Sequence, residues 1–486
     1  MITKKIMKIL VLGIVLTGFL YISEAQQKRK QYYRKITLPK AQTITKTDGK
    51  SRGVILIIID ALRPDHLGHF GYHRNTSPAM DKLAGEGITF SHMFANAPWT
   101  RPSTACIFTS KNASRHGVET EETKLHESFL TLAEVLQNEG IKTGAVIGNG
   151  NVNSLWGFNQ GFDDYMDTRD KWKGLPTARQ VFDLGKEWLK NNKDEKFFLT
   201  LFMVDPHSPY KSPPYYEKLY TRIDRRKILR SPKWQYKKGL KNEIVYNMVG
   251  LYDGAIRYCD DILRLLVRDL KAFGIYDETT IIVTADHGEG FGEHSRFRHS
   301  YHFYEEFIRT PLIIKSPVIK EKGKCSIQMV ETLDLFPTIV DIFGFTVPES
   351  CEGISIFTNE SGKPENDRMI FSEYNNFGLH NQCIRGKKWK LIYEAKADKK
   401  KFYKNIKNRS YLPFFRLDKP KYELYSMEHD PFERKNLFYK YPKKGQELLK
   451  QLKEFLAHEK FTAEQIKRSE VDPKILKTLK SIGYFK

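Results

Sequence analysis

The chain has 486 residues, of which 40% are hydrophobic and 13% aromatic, and its formal net charge is +22. This is the composition of a globular protein large enough for two domains, and it excludes an extensively disordered chain. The positive charge suits a nucleic-acid binder, an enzyme of anionic substrates or a protein beside an anionic membrane; because the sequence has no zinc-finger, RNA-recognition or basic-heptad pattern, we expect no nucleic-acid partner.

The first predicted element is a short apolar segment at the N-terminus. Residues 9–22 are apolar, follow three lysines and precede a Ser-Glu-Ala sequence. This order is typical of a secretory signal peptide, and the run falls short of the ~20 residues of a spanning helix. An uncleaved membrane anchor is the alternative, because Ile6 and Met7 extend the run. We therefore expect residues 1–25 to be a signal peptide or anchor, residues 26–50 a basic linker, and the protein to be exported, periplasmic or extracellular.

Apolar runs and amphipathic segments then alternate along residues 51–347. The predicted strands are 54–59, 143–147, 197–204, 280–284 and 312–314, and the predicted helices are 77–86, 103–110, 130–139, 180–189, 244–273 and 331–343. Residues 211–242 interrupt the rhythm with prolines and basic residues, which indicates a surface insertion or, alternatively, the rim of a site. Strands that alternate with helices predict an α/β domain whose mostly parallel central sheet has helices on both faces.

The sequence changes character after about residue 350. Predicted strands at 388–393 and 422–426 and a helix at 446–458 indicate a smaller α+β C-terminal subdomain over residues 348–486. The five cysteines are scattered without a CxxC pair, which excludes a disulfide framework and a cysteine zinc site. A single disulfide stays open if the protein is exported.

Side chains that can bind metals follow two of the predicted strands. Asp60 comes directly after strand 54–59, and Asp286 and His287 follow strand 280–284. The carboxyl ends of parallel strands meet at one edge of a sheet, where α/β proteins build their sites. Neighbouring carboxylate and imidazole groups suit a divalent ion such as zinc or manganese. For Asp60 alone, a helix N-cap is the alternative.

A candidate nucleophile lies in the Trp-Thr-Arg-Pro-Ser turn that begins at Trp99. A threonine hydroxyl is a poor nucleophile at neutral pH, but a bound metal can lower its proton affinity. The alternative for Thr100 is an N-cap before the following helix. His207 or His299 could protonate the leaving oxygen or bind the oxyanion of the substrate. The residues predicted to bind the substrate are Arg63, Arg101 and His302.

Taken together, these segments resemble the sulfatase family within the alkaline-phosphatase superfamily. The matching segments are IIIDALRPD from Ile57, TRPST from Thr100, GFDD from Gly161, HSPY from His207, YDG from Tyr252, TADHGE from Thr284, YEE from Tyr304 and ELY from Glu423. The resemblance covers most of the chain after residue 52. It implies an alkaline-phosphatase-like fold and the hydrolysis of oxyanion esters.

Several positions depart from the best-known sulfatases. Those proteins carry Cys or Ser at the position of Thr100 and convert it to formylglycine, which threonine cannot become. They also carry Arg where this chain has Thr104, a second Asp at Ala61, and Asn or Gln at His287 in a calcium site. The chain instead resembles the threonine-nucleophile branches, which include phosphodiesterases and phospholipid head-group transferases. That resemblance implies a single-metal site formed by Asp60, Thr100, Asp286 and His287.

The residues and the resemblance together predict an exported, metal-dependent hydrolase of sulfuric or phosphoric/phosphonic esters that works through a covalent Thr100 intermediate. One divalent ion (zinc, manganese, magnesium or calcium) is expected, without formylglycine. The anionic ester is expected on a sulfated or phosphorylated glycan or lipid, with a membrane surface as a further partner. Two alternatives stay open: a phosphoethanolamine- or phosphoglycerol-type head-group transferase, and a non-catalytic binder of anionic glycans, which Ala61 and Thr104 would favour as eroded site positions.

Overall fold

The computed structural model describes residues 44–47, 49–167, 176–229, 242–299, 301–357, 368–405 and 418–457. The predicted signal peptide or anchor and most of the predicted linker lie outside these ranges. Among the described residues, no helix combines the length and the apolar character needed to cross a bilayer. The end of the linker is packed, because Ile44 is buried and Lys46 forms a β-bridge with Ile319.

A sheet of eight strands forms the centre of the molecule. In chain order the strands are β1 (Gly53–Ile59), β2 (Ile88–Phe94), β3 (Lys142–Ile147), β4 (Asp164–Met166), β5 (Phe197–Met203), β6 (Thr279–Thr284), β7 (Arg309–Lys315) and β8 (Lys324–Glu331). They lie in the order β4-β3-β5-β1-β6-β7-β2-β8, and every neighbouring pair is parallel except β6–β7 and β7–β2. The predicted mostly parallel sheet is confirmed, with β7 running against the other strands. Strands β2, β4 and β8 were not predicted.

Helices cover both faces of this sheet. They are α1 (Pro78–Glu86), α2 (Thr100–Thr109), α3 (Ala113–His116), α4 (Leu132–Asn138), α5 (Ala178–Asn192), α6 (Pro214–Leu219), α7 (Arg225–Leu229), α8 (Asn242–Ala272), α9 (Glu305–Ile308) and α10 (Leu335–Phe343). All seven residues of β1 are buried. Because successive strand side chains point to opposite faces, Ile55 and Ile57 pack with α1, α5 and α8, whereas Leu56 and Ile58 pack with α2, α4 and α10.

Two predicted boundaries and one predicted insertion differ from the structure for local reasons. Helix α2 begins at Thr100 rather than at residue 103, because Trp99 is the extended residue before the helix. Helix α4 begins after Thr131, which forms a capping box with Glu134. Part of the predicted insertion is a packed helix, because the Tyr216 ring of α6 lies 5.0 Å from the Tyr258 ring of α8.

The C-terminal part forms a four-stranded antiparallel sheet with two helices, α11 (Lys399–Asn405) and α12 (Pro442–Ala457). Its strands are β9 (Ile370–Asn376), β10 (Leu379–Arg385), β11 (Trp389–Glu394) and β12 (Lys421–Ser426), in the order β12-β11-β10-β9. Leu448 and Leu452 of α12 pack on Leu391 and Leu424 of the sheet. The predicted smaller α+β unit is confirmed, although β9 and β10 were not predicted.

A buried ion-pair network joins this unit to the large sheet. Lys390 of β11 is fully buried, and its Nζ lies 3.1 Å from Glu305 Oε1 and 2.7 Å from Glu433 Oε1. Arg385 adds a second cation, 3.4 Å from Glu305 Oε2. Because Glu305 belongs to α9 of the large domain, the two units share one set of buried charges.

Candidate active site

Two adjacent strands bring the predicted metal ligands together. Asp60 follows β1, Asp286 and His287 follow β6, and these strands pair in parallel with Ile58 opposite Thr284. His287 Nε2 lies 3.6 Å from Asp60 Oδ1 and 3.3 Å from Asp286 Oδ2. All three side chains are fully buried. One ligand atom from each lies within 4.8 Å of the others, so the three side chains form one cluster.

The side chains of this cluster are those of a cation site. Asp60 Oδ1 and Asp286 Oδ2 are buried oxygens without a hydrogen-bond partner. Burial, followed by the charge of Asp286, raises the pKa of Asp60 well above its ordinary value. Buried carboxylates are stable when they are paired or when they coordinate a metal. Two carboxylates and one imidazole therefore fit a divalent ion such as zinc or manganese.

The predicted nucleophile belongs to the same cluster. Thr100 is the first residue of α2 and is 2% exposed, and its Oγ1 lies 3.2 Å from His287 Nε2. Ser103, one turn along α2, donates a hydrogen bond of 2.5 Å to the Asp286 carbonyl. Thr104 donates to the Thr100 carbonyl at 2.8 Å. The first turn of α2 is thus tied to the loop that carries the metal-ligand candidates.

Two further predicted histidines lie beside this cluster. The His299 ring is centred 4.1 Å from the His287 ring and 4.9 Å from the His207 ring. Glu289 Oε1 lies 3.3 Å from His299 Nδ1, and Tyr210 donates to the other oxygen of Glu289 at 3.3 Å. Burial lowers the pKa of His299 well below its ordinary value. A neutral imidazole therefore lies next to His287, which is the hydrogen-bond partner of the Thr100 hydroxyl group.

The three residues predicted to bind the substrate have contacts within the protein. Arg63 is buried and donates to Asp65, Glu293 and the Glu289 carbonyl. Arg101 is fully buried, stacks 3.5 Å from the Trp156 ring centre, and donates to backbone carbonyls of residues 120, 121 and 123. His302 packs among aromatic rings, 5.7 Å from that of Phe307. These contacts hold loops in place, and a role in substrate binding stays a prediction for all three.

Two residues that were given no role in the sequence-based site belong to it. Asn149 donates a hydrogen bond of 2.5 Å from Nδ2 to Asp60 Oδ2, and its Oδ1 accepts from Asn151 N at 2.8 Å. Glu289 orients His299. The available signal for Asn149 was its place just after β3, because that strand ends at the same edge of the sheet as β1.

Comparison with known proteins identifies the group to which this arrangement belongs. Residues 52–345 match the family model described as sulfatase, and residues 292–462 match that described as N-sulphoglucosamine sulphohydrolase, C-terminal. The chain belongs to the sulfatase family. The predicted family and the predicted class of ester hydrolase are thereby confirmed.

Relatives of this sulfatase-family chain differ in their substrates. An N-acetylglucosamine-6-O-sulfatase from Bacteroides thetaiotaomicron is 26% identical, over 88% of this chain and 89% of the relative. A protein whose structure was solved in complex with its substrate D-glucosamine-2-N,6-O-disulfate matches with a TM-score of 0.67 and 22% identity. The match covers 87% of this chain and 100% of that protein's chain. The structure of phosphonate monoester hydrolase of Agrobacterium radiobacter matches with a TM-score of 0.65 and 19% identity. The match covers 83% of this chain and 95% of the hydrolase. The structural matches show the shared fold.

The substitution Asp286→Asn tests the metal site. It replaces a carboxylate that faces His287 in the buried cluster, so we expect the affinity for a divalent ion to fall by more than ~100-fold. Elemental analysis after dialysis against limiting metal should find the ion in the wild-type protein and almost none in the variant. Asp194→Asn, at a side chain that is 82% exposed, is the control and should bind metal like the wild type. Full metal content in Asp286→Asn would contradict the assignment.

Proposed function

We propose that this sulfatase-family protein is an exported hydrolase that cleaves sulfuric or phosphoric/phosphonic esters through a covalent intermediate on Thr100. The observation that carries this proposal is the 3.2 Å contact between Thr100 Oγ1 and His287 Nε2, beside two buried carboxylate oxygens that lack hydrogen-bond partners. A hydroxyl, two carboxylates and an imidazole in one buried cluster exceed what packing requires.

A divalent ion would be held by Asp60, Asp286, His287 and the Thr100 hydroxyl. When bound, it would supply positive charge that favours the alkoxide form of Thr100 and polarises the ester. Asn149 holds the second carboxylate oxygen of Asp60, so that Oδ1 is left for the ion. Ser103 fixes the backbone of Asp286 against α2.

The chain's own residues can perform the remaining steps. Thr100 Oγ1 releases its proton to solvent water and bonds to sulfur or phosphorus, while the bond from that atom to the leaving oxygen breaks. His207 donates a proton to the leaving oxygen, and His299, whose pKa is lowered by burial, binds the oxyanion as a neutral imidazole. A water molecule then attacks the Thr100 ester, which releases the free acid and restores the hydroxyl. Because Thr100 begins a ten-residue helix, the N-terminal end of α2 favours the negative charge that develops there.

The identity of the nucleophile favours phosphorus esters without excluding sulfate esters. Formylglycine lets a sulfated intermediate collapse without attack at sulfur, and threonine cannot provide that route. The structural similarity to a phosphonate monoester hydrolase supports phosphorus esters, whereas the similarity to N-acetylglucosamine-6-O-sulfatase supports a sulfated glycan. The net charge of +22 suits either anion and suits a membrane surface.

Transfer to an acceptor alcohol is the second candidate function. It is favoured by the basic, apolar N-terminal sequence, which would place the protein beside lipid, and by the threonine itself. Incubation with a labelled phospholipid separates the two functions. A labelled lipid or glycan acceptor would indicate a transferase, and label released only into water would indicate a hydrolase.

A substrate panel tests the proposed function as a whole. Aryl sulfate, aryl phosphate, aryl phosphodiester and aryl phosphonate would each be assayed with zinc, manganese, magnesium and calcium. We expect turnover of at least one class that depends on added metal and on Thr100. Stoichiometric metal without turnover of any ester would instead indicate a non-catalytic binder of anionic glycans. Export would be tested by fractionating cells that express the full chain.

A further inference from the structure

The loop between Glu289 and His299 has an unusual backbone. Gly292, His294, Ser295 and Arg298 have φ values of 105°, 50°, 58° and 60°. Residues other than glycine adopt this left-handed region at a cost, and they persist there only where their surroundings hold them. The loop therefore needs a restraint from outside its own backbone.

His294 connects this loop to the C-terminal unit. Its Nδ1 lies 2.8 Å from Glu306 Oε1, and its Nε2 lies 3.1 Å from the Phe432 carbonyl and 3.0 Å from the Glu433 carbonyl. The ring also stacks on Tyr304, with centres 3.8 Å apart and planes within 9°. All three hydrogen-bond partners are acceptors. Both ring nitrogens must therefore carry hydrogen, which makes His294 an imidazolium.

The groups around His294 keep this cation stable. Burial opposes the charged form, but the hydrogen bond to Glu306 and the charges of Glu306 and Glu433 raise the pKa of His294 to about 9. The other charged groups that line the same cavity are Arg63, Asp65, Glu293, Glu305, Arg309 and Arg434. Two carboxylates around His294 already have other cations as partners. Glu293 lies 3.0 Å from Arg63, and Glu433 lies 2.7 Å from Lys390.

The loop is compact enough to transmit this restraint to the active site. Gly292 N donates to the Arg296 carbonyl at 2.7 Å, and Arg298 N donates to the Gly290 carbonyl at 3.0 Å. Its two ends also meet, because Glu289 and His299 are hydrogen-bonded to each other. A displacement at His294 would therefore move both of these side chains relative to Thr100.

We propose that His294 is a positioning residue through which the C-terminal unit sets the geometry of the active site. As an imidazolium it fastens loop 292–298 to the turn at residues 432–433, and it thereby fixes His299, with its partner Glu289, beside His287. This inference rests on the proposed function, since it assigns a determinant of the same site. Under this proposal the C-terminal unit affects catalysis by positioning residues of the active site and not by contacting the substrate.

The variant His294→Phe tests this proposal, because it keeps the stacking ring and removes three hydrogen bonds. We expect kcat to fall by about 10- to 100-fold with little change in KM or metal content. Amide hydrogen exchange should quicken over residues 289–299 and change little elsewhere. His294→Arg supplies a planar cation with several donors, so it should recover part of kcat. His429→Phe, at an exposed histidine of the C-terminal unit, is the control.

Three results would overturn the proposal. The first is a kcat for His294→Phe within about twofold of wild type together with unchanged exchange over 289–299. The second is faster exchange throughout the chain, which would mean a general loss of stability. The third is equal defects in His294→Arg and His294→Phe. Because exchange needs no turnover, it tests the restraint even if Thr100→Ala shows that the proposed reaction is wrong.

The charge on His294 also predicts a pH dependence. Its pKa in the folded protein, about 9, lies above the ordinary value of 6.5. The stabilisation of the loop is therefore complete below about pH 6.5 and is lost as the pH rises through about 9. We expect the protection of residues 289–299, measured relative to their intrinsic exchange rates at each pH, and kcat both to fall above pH 9 in the wild type. His294→Arg should keep both unchanged across that range, and a wild-type loop that is insensitive to pH would contradict the assignment.

Discussion

Thr100→Ala is expected to lower kcat/KM by at least ~10³-fold on every ester that the wild-type protein cleaves. The substitution removes the oxygen that lies 3.2 Å from His287 Nε2 and that would form the covalent intermediate. Metal content should fall much less, because Asp60, Asp286 and His287 remain. Steady-state kinetics on the best substrate of the panel, with elemental analysis of the same samples, would measure both effects. A burst of leaving group in the wild type should disappear in the variant.

Two matched variants separate loss of the nucleophile from damage to helix α2. Thr100→Ser keeps a hydroxyl at the same position and should retain measurable turnover. Thr109→Ala removes a hydroxyl that bonds the Ala105 carbonyl at 2.7 Å in the same helix, and it should behave like the wild type. If Thr100→Ala turned over every ester in the panel as fast as Thr109→Ala does, the nucleophile would have to be another group.

Lys390→Ala is expected to lower the free energy of unfolding by ~3–5 kcal/mol, because removing one partner of a buried ion pair leaves uncompensated charge. The Lys390 side chain is fully buried and contacts both Glu305 and Glu433, so two carboxylates lose their cation. Denaturation in urea, followed by far-UV circular dichroism, would give the change in midpoint. Arg385 lies 3.4 Å from Glu305 and would compensate only one of the two carboxylates.

Lys388→Ala provides the control for this prediction. Lys388 lies two residues earlier in the chain and is exposed, so its replacement should shift the free energy of unfolding by less than ~0.5 kcal/mol. Equal midpoints for Lys390→Ala and Lys388→Ala would show that the buried network contributes little to holding the two units together.

The sequence predicted the parts of the fold that follow from local pattern. After its first glycine, strand β1 is a continuous apolar run, and strand β6 is a run of β-branched residues; both patterns are typical of buried strands. Strand β2 escaped prediction because Thr89, Ser91 and His92 interrupt its apolar residues. In the structure, Thr89 bonds His69 and Ser91 bonds the Ser326 carbonyl. Because His69 and Ser326 are distant in sequence, the residues near β2 do not show that Thr89 and Ser91 have these hydrogen-bond partners.

The same limit applies to the candidate site. The strand ends predicted that Asp60, Asp286 and His287 would meet, because parallel strands deliver their last residues to one edge. The sequence could not show that Asn149 would hold Asp60, since that contact depends on how far the loop after β3 reaches. Nor could it show that Arg63 and Arg101 would be buried, because the acceptors around them come from separate loops.

The order of strands in the large sheet has a consequence for how the chain folds during synthesis. Strand β2 lies between β7 and β8, which are made much later. An emerging chain therefore carries the apolar residues of β2 with no strand beside them until β7 is complete. Pairing across such a separation is slow, and an unpaired apolar edge invites aggregation. Helix α2 follows β2 directly, so we expect the segment that bears Thr100 to be among the last to reach its folded position. A chaperone that shields β2 would protect this segment until then.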